Sequence, residues 1–201
     1  MQTDEAHMRS RKDALRAALT AARRDRSDDA RRLARQANTD HLLRALAGRR
    51  CVAAYLPLPS EPLDAALLDS LAGVSTVLVP VTVGPAPLDW CRYPVPLRRG
   101  ALGIDEPAGE RLGATAIGAV DTVLVPALAV DRDGHRLGRG GGHYDRTLAL
   151  LDQIRAPGAT GGPDLIAVVY DGEFLDAVPF DALDRPVSAV VTPTSGLLRL
   201  S

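Results

Sequence analysis

Short apolar segments recur along this chain and alternate with segments of helical periodicity. Each apolar segment is flanked by Gly, Pro or Asp, and together they cover residues 51–58, 76–83, 122–130, 165–170 and 189–192. Helical patterns lie between them, at 63–71 and 144–154. Strands that are apolar throughout are typical of a parallel sheet covered by helices on both faces. The sequence therefore predicts a single α/β domain over residues 1–201, with a mainly parallel sheet.

The first quarter of the chain has the pattern of two helices. From about residue 5 to residue 50, leucines follow helical spacing and arginines surround them. A break near Asp25 is followed by Ser27, whose hydroxyl is a candidate N-cap for the second helix.

Composition and charge exclude several classes of function. The net charge of −1 gives no global attraction to nucleic acid or to acidic membranes. No apolar run approaches the roughly 20 residues that span a bilayer, and residues 1–12 lack the apolar stretch of a signal peptide. We expect a cytoplasmic monomer that binds neither nucleic acid nor membrane.

A glycine-rich loop lies between the strand at 122–130 and the helical pattern at 144–154. Its sequence is Arg136-Leu137-Gly138-Arg139-Gly140-Gly141-Gly142-His143-Tyr144-Asp145. Glycines before a helix expose backbone N–H groups at the positive end of the helix dipole, which suits a phosphate chain. The alternative is a tight turn, but the two arginines and the adjoining His-Tyr-Asp favour a binding site.

Three familiar loop motifs do not fit this segment. A Walker loop needs Gly-Lys-Ser or Gly-Lys-Thr, and neither occurs in the chain. A dinucleotide fingerprint that starts at Gly138 needs Gly or Ala where His143 stands. A calcium loop that starts at Asp131 needs glycine at position 136 and glutamate at position 142.

Lys12 is the only lysine among 24 Lys and Arg residues. A compact ammonium and a planar guanidinium serve different sites, so a lone lysine is a candidate for a position that needs a point charge. Arg16 lies four residues further on, on the same helical face, and both side chains could bind one anion. The alternative is a solvated basic face.

Three carboxylates are candidate binding groups, and each lies at the end of a predicted strand, in the glycine loop or before the last strand. Glu61 comes after the first strand, where ligands collect in doubly wound sheets, although it could instead stabilise the dipole of the helix at 63–71. Asp145 ends the glycine loop and Asp184 precedes the last strand. With phosphates and waters, these two carboxylates could hold Mg²⁺, but Asp184 could equally be a turn residue.

The Pro- and Gly-rich stretch 84–118 carries Trp90, the only tryptophan. Its composition predicts an ordered loop with a short hairpin. Trp90 is the best aromatic candidate for packing on a flat ligand, although it could equally be a core or lid residue.

Taken together, these segments resemble the 5-formyltetrahydrofolate cyclo-ligase family, also called 5,10-methenyltetrahydrofolate synthetases. The Arg-Leu-Gly-x-Gly-x-Gly-x-Tyr-Asp core at 136–145 is the specific part of the resemblance. Weaker segments agree with it in order and spacing, at residues 12–16, 55–61, 103–107, 125–126 and 179–192.

The resemblance implies a three-layer α/β/α fold and conversion of 5-formyltetrahydrofolate to 5,10-methenyltetrahydrofolate with ATP and Mg²⁺. It implies that Lys12, Arg16 and the loop from Arg136 to Tyr144 hold ATP, while Asp145 and Asp184 hold Mg²⁺. Four residues are expected to face the folate, namely Leu56, Glu61, Trp90 and His143. We expect Arg139 and Tyr144 to act on the reacting groups.

The chain departs from the family pattern at three positions. His143 stands where the family usually has tyrosine, Gly141 where some members have lysine, and Leu183 where a His-Asp pair is common. The histidine bears on two expectations, the contact with the substrate and the pH dependence of activity, because imidazole titrates near neutrality.

The sequence leaves three alternative functions open. The chain could be a paralogue that activates another amide or carboxylate, a sugar-phosphate isomerase with a related sheet, or a noncatalytic nucleotide-binding regulator.

Overall fold

The computed structural model describes residues 2–99, 105–154 and 161–200. The helices are α1 (Gln2–Asp25), α2 (Asp28–Ala45), α3 (Ala66–Ala72) and α4 (His143–Ile154). The strands are β1 (Cys51–Ala53), β2 (Thr76–Val81), β3 (Asp89–Tyr93), β4 (Leu97–Arg99), β5 (Asp105–Pro107), β6 (Thr122–Pro126), β7 (Ala129–Asp131), β8 (Arg136–Leu137), β9 (Asp164–Val168), β10 (Phe174–Leu175), β11 (Ala189–Thr192) and β12 (Gly196–Arg199). Short 3₁₀ helices cover Ala114–Ala119 and Asp171–Glu173.

The central sheet has the strand order β12-β11-β9-β6-β1-β2-β3. Its five inner strands are parallel, and the edge strands β12 and β3 are antiparallel to their neighbours. The chain moves from β1 to β2 on one side and later returns to place β6 on the other side. The strand order therefore reverses between β1 and β6, and the carboxyl ends of these two strands form the crevice in which doubly wound sheets bind ligands.

Helices cover both faces of this sheet, as predicted. On one face, Leu42 of α2 and Leu67 of α3 pack in a cluster with Val52 and Val77. On the other face, the α4 residues Leu148 and Leu151 belong to a second cluster with strand residues of β6 and β9. The three layers are helix, sheet and helix.

The N-terminal helix α1 packs on a smaller, three-stranded sheet of order β10-β7-β8. Leu15 and Leu19 contact a small apolar cluster formed by Ala129, Leu137 and Val178. The two leucines lie four residues apart on one helical face, so their burial fixes the rotation of α1. Lys12 and Arg16 each lie three residues before one of these leucines. Lys12 contacts Asp181 and Asp184, and Arg16 contacts the carbonyl of Gly138, directly after β8.

The helix break and its cap agree with the sequence. The Ser27 hydroxyl accepts a hydrogen bond from Ala30 N at 3.2 Å and caps α2.

A buried ion pair fixes the C-terminal end of α1. Arg23 donates to both carboxylate oxygens of Glu173, at 2.7 and 2.8 Å, and to the carbonyl of Ala127 at 2.7 Å.

The predicted strand at 122–130 is two strands in two different sheets. Pro126 ends β6, because proline has no N–H to continue the ladder, and the chain then enters the smaller sheet as β7. The strand predicted at 51–58 ends at Ala53, before the prolines that follow.

The stretch 84–118 contains the expected hairpin. Strands β4 and β5 pair there as an antiparallel ribbon, and residues 100–104 between them lie outside the described part.

Trp90 does not fulfil the expectation that it contacts the folate. It lies on β3 at the edge of the sheet, with none of its surface exposed, inside the cluster that contains Leu88, Ile117 and Leu148. A side chain that is fully enclosed by the core has no face to offer a ligand, so Trp90 is a core residue.

Among the described helices, none combines the length and the apolar character that a membrane crossing requires.

Candidate active site

The glycine loop leaves β8 and enters α4 at the carboxyl edge of the central sheet. Gly140 and Gly142 have φ values of 98° and 66°, which favour glycine. The backbone N–H groups of residues 138–145 donate no hydrogen bond within the described ranges. The loop therefore presents free amides at the N-terminal end of a 12-residue helix, which is a suitable site for an anion.

Arg16 connects α1 to this loop. Its Nε donates to the carbonyl of Gly138 at 2.9 Å, and its guanidinium carbon lies 3.5 Å from the point where a Cβ on Gly140 would be. Asp13 binds the other side of the guanidinium at 2.6 Å. The distant N-terminal helix thus contributes a cation directly beside the loop amides.

Lys12 lies between two carboxylates of the segment that precedes β11. Its Nζ is 2.5 Å from Asp184 Oδ2 and 2.6 Å from Asp181 Oδ2, and its side chain is only 10% exposed. Burial alone would lower the pKa of Lys12, but the hydrogen bonds and charges of the two aspartates outweigh burial and raise this pKa. The same hydrogen bond lowers the pKa of Asp181. Lys12 is therefore firmly cationic.

Asp145 lies beside the segment that contains Asp184. Its Oδ1 accepts hydrogen bonds from Arg136 at 2.8 Å and from the backbone N–H of Arg185 at 3.3 Å. Arg136 also donates to the carbonyl of Arg185 at 2.6 Å, and its own side chain is almost fully buried. One arginine therefore holds the start of α4 against residue 185, the neighbour of Asp184.

Glu61 and Tyr144 form the other wall of the site. Glu61 is buried; its Oε2 accepts from Leu58 N at 3.0 Å, and its Oε1 lies 3.4 Å from the guanidinium of Arg139. The Tyr144 hydroxyl is buried and has no hydrogen-bond partner among the described residues. Burial, and then the negative charge of Glu61, raise the pKa of Tyr144, while Arg136 opposes this shift. The phenol is therefore protonated and free to donate.

His143 opens α4 and contacts the loop. Arg146 Nη2 donates to the carbonyl of Gly141 at 2.9 Å and lies 3.1 Å from His143 Nδ1. The ring packs over Gly141, where an added Cβ would come within 3.0 Å of His143 Cδ2. Arg146 therefore contacts both the loop and the histidine and stabilises their relative position.

The structure brings most of the predicted site residues into one region. The contacts given above connect the cations, the loop and the two predicted metal ligands, namely Lys12, Arg16, Arg136, Arg139, the loop glycines, His143, Tyr144, Asp145 and Asp184. Glu61 joins this group through its contact with Arg139. Leu137 is buried beneath α1, and Leu56 is half-buried against the first core cluster. The ligand roles of these residues remain predictions.

Sequence reasoning missed two members of this region, Asp181 and Arg146. Asp181 could have been found from its position three residues before Asp184, and Arg146 from its position three residues after His143 on the same helix.

A separate acidic group on the β7–β8 hairpin is structural. Asp131, Asp133 and His135 lie close enough to share a metal ion. However, Asp131 Oδ1 already accepts from the backbone of residues 133 and 135, and Oδ2 accepts from Val178 N at 3.0 Å. The carboxylate therefore organises the hairpin turn and joins it to the segment that leads to Asp181.

Comparisons with known proteins agree with this architecture. The model of the 5-formyltetrahydrofolate cyclo-ligase family matches residues 8–193. A 5-formyltetrahydrofolate cyclo-ligase of Mycolicibacterium smegmatis is 40% identical over 196 residues, which cover 94% of this chain and 97% of the relative.

Solved structures give the same result. The NMR structure of an Aquifex aeolicus 5,10-methenyltetrahydrofolate synthetase superposes with a TM-score of 0.73 at 29% identity, over 94% of this chain and 92% of the other. A synthetase of the same name from Mycoplasma pneumoniae shares the fold, with a TM-score of 0.67 at 18% identity over 89% and 96% of the two chains. The chain therefore belongs to the 5-formyltetrahydrofolate cyclo-ligase family.

Proposed function

We propose that this protein converts 5-formyltetrahydrofolate to 5,10-methenyltetrahydrofolate, with ATP and Mg²⁺, and releases ADP and phosphate. The observation that carries the proposal is the meeting of Arg16, the free amides of the glycine loop and the Lys12–Asp184 pair at one edge of the sheet. Membership of the family supports the choice of folate as the substrate.

The chemistry requires an activated oxygen. An N-formyl group is an amide, so its carbon resists attack by the folate's own N10 and its oxygen leaves poorly. Transfer of the γ-phosphoryl group of ATP to that oxygen gives a phosphorylated imidate and ADP. N10 then attacks the formyl carbon, phosphate leaves with the former formyl oxygen, and the N10 proton is lost as the ring closes.

The free amides and the cations suit a phosphate chain. Phosphoryl transfer needs positioning and charge stabilisation more than covalent catalysis. In this proposal, Arg16 and the amides of residues 138–145 bind the phosphates, and Lys12 binds them from the side that carries Asp181 and Asp184. Lys12 would exchange a carboxylate oxygen for a phosphate oxygen when the nucleotide binds, because its ammonium has three donors on a flexible stem.

The residues present fit a magnesium ion. Asp145 Oδ2 and Asp184 Oδ1 have no hydrogen-bond partner in the described part of the chain, whereas the second oxygen of each carboxylate is held by neighbouring groups. Mg²⁺ prefers a few carboxylate oxygens together with phosphates and waters. When bound there, it would neutralise charge on the phosphates.

Glu61, Arg139 and Tyr144 suit the folate end of the reaction. Glu61 can accept a hydrogen bond from a ring N–H, and the protonated Tyr144 can donate to the formyl oxygen. Arg139, which is partly exposed and lies between Glu61 and the loop, can stabilise charge on the transferring group.

The decisive experiment is an absorbance assay. Purified protein is mixed with 5-formyltetrahydrofolate, Mg²⁺ and ATP, and the near-ultraviolet absorbance of the methenyl product is followed. The expected result is a rise that requires both ATP and metal. The absence of an ATP-dependent rise would defeat the proposal, and ATP hydrolysis driven by a different amide or carboxylate would point to a paralogous activity.

A further inference from the structure

Arg146 crosses the glycine loop and directs both hydrogens of one nitrogen to two acceptors. Nη2 donates to the Gly141 carbonyl at 2.9 Å and lies 3.1 Å from Nδ1 of His143. Gly142 leaves room for this crossing, because a Cβ there would lie 2.6 Å from Arg146 Nη1. The side chain is therefore built into the loop and does not extend into solvent.

This contact determines where the histidine carries its proton. A guanidinium can only donate hydrogen bonds, so Nδ1 must supply a lone pair. An imidazole whose Nδ1 accepts carries its proton on Nε2 when it is neutral. Nε2 makes no hydrogen bond within the residues that the structure describes, and it lies 3.4 Å from the point where a Cβ on Gly141 would be. The ring thus offers an N–H beside the free amides of the loop.

We propose that Arg146 is a positioning residue that holds His143 as the neutral Nε2–H tautomer, so that the ring donates to a phosphate oxygen of the nucleotide in the glycine loop. The inference rests on the proposed function for the identity of that nucleotide.

Direct observation of the tautomer tests the first step. Histidine is labelled with ¹⁵N, and the two ring nitrogens of His143 are recorded in the ligand-free protein, with His143→Gln used to assign the signal among the four histidines. We expect an unprotonated shift for Nδ1 and a protonated shift for Nε2. In Arg146→Ala the ring should become a mixture of forms, whereas Arg132→Ala, which removes an exposed arginine of the β7–β8 hairpin, should leave the spectrum unchanged. A protonated Nδ1 in the wild type, or no change in Arg146→Ala, would overturn the inference.

A pair of amide substitutions tests the second step. The side-chain N–H₂ of glutamine can reach the position of Nε2, whereas that of asparagine is closer to the position of Nδ1. Calorimetric titration with MgATP, without folate, should show at least about tenfold weaker binding for His143→Asn than for His143→Gln, which corresponds to one hydrogen bond to a charged acceptor. Arg146→Ala should lie close to His143→Asn, and melting temperatures of all variants check that each protein is folded.

The outcomes separate this inference from the proposed function. Equal MgATP affinities of the two amide variants would overturn the role of His143 alone. No MgATP binding by the wild type would overturn both. If the affinities differ as expected but no methenyl product forms, the proposed folate reaction fails while the role of Arg146 and His143 is supported.

Discussion

The ammonium of Lys12 lies 2.5 Å from Asp184, a carboxylate that is separated from it by 172 positions in the chain. The same ammonium binds Asp181, and together these contacts join α1 to the loop before β11. The cation that we propose for ATP binding therefore has structural partners in the ligand-free protein, and we expect substitutions of Lys12 to affect stability as well as nucleotide use.

We predict that Lys12→Ala raises the KM for ATP at least about tenfold, because a charge-assisted contact to phosphate is lost. The same change should lower the free energy of unfolding by about 1–3 kcal/mol, because two neighbouring carboxylates lose their cation. Kinetics at varied ATP and urea unfolding measure the two effects.

A double variant separates the two roles of Lys12. The double variant Lys12→Ala with Asp181→Asn removes one of the two carboxylate charges that the single variant leaves without a cation. Part of the lost stability should therefore return, while the KM for ATP stays high. Recovery of both properties would mean that Lys12 acts only on the loop that carries Asp181 and Asp184.

Asp145→Asn is predicted to raise the Mg²⁺ concentration for half-maximal activity about tenfold or more, because an amide oxygen is a weaker ligand than a carboxylate. The asparagine keeps an oxygen for the Arg185 N–H, so the fold should persist. Asp152→Asn, on the same helix but 59% exposed, is the matched control and should titrate like the wild type. An unchanged metal titration in Asp145→Asn would remove this residue from the metal site.

Much of the site follows from spacing that is visible in the sequence, but its assembly does not. Helical periodicity places Lys12 and Arg16 on one face of α1, and the loop composition places free amides before α4. Which surface α1 contacts depends on the packing of Leu15 and Leu19 against the smaller sheet, and nothing local in the sequence specifies it.

The errors have the same origin. The aromatic character of Trp90 makes it a candidate for packing on a flat ligand or for the core, and the sequence does not choose between them; its strand pairs antiparallel with β2 and the ring lies in the core. Asp181 resembles an ordinary turn residue, because its Oδ1 accepts a hydrogen bond from Leu183 N at 2.9 Å; its ion pair depends on Lys12, which approaches from the other end of the chain. Local spacing can mark such residues as candidates, but it does not predict the long-range contacts that they make.

The acid stability of the fold should depend on Asp164. The hydrogen bond from Arg199 is the main cause that lowers its pKa; burial opposes the shift, and the charges of Arg199 and Arg49 add to it. Because the folded-state pKa lies below the unfolded-state value, the stabilisation is fully present above that value and is lost as pH falls through the lowered pKa.

Asp164→Asn should therefore cost about 1 kcal/mol at neutral pH, a modest value because Arg199 is more than half exposed and water screens the pair. Urea unfolding of both proteins at about pH 7 and about pH 3 measures the difference, which should shrink towards zero at the lower pH. A difference that stays constant over this range would show that the carboxylate charge is not what stabilises the junction of β9 and β12.

Tyr144→Phe tests whether the buried hydroxyl serves the reaction. The hydroxyl has no partner among the described residues, so its removal leaves no donor or acceptor of the protein unpaired, and the phenyl ring keeps its contacts with both core clusters. The free energy of unfolding should then stay within about 0.5 kcal/mol of the wild type or increase slightly.

If the phenol donates to the formyl oxygen as it is phosphorylated, the same variant should lower kcat by about tenfold to a hundredfold, with little change in the KM for ATP. A loss of stability without a loss of kcat would make Tyr144 a packing residue, and a rise in the KM for ATP alone would place its hydroxyl on the nucleotide. The measurement thus decides between three physical roles for a hydroxyl that burial and the charge of Glu61 keep protonated.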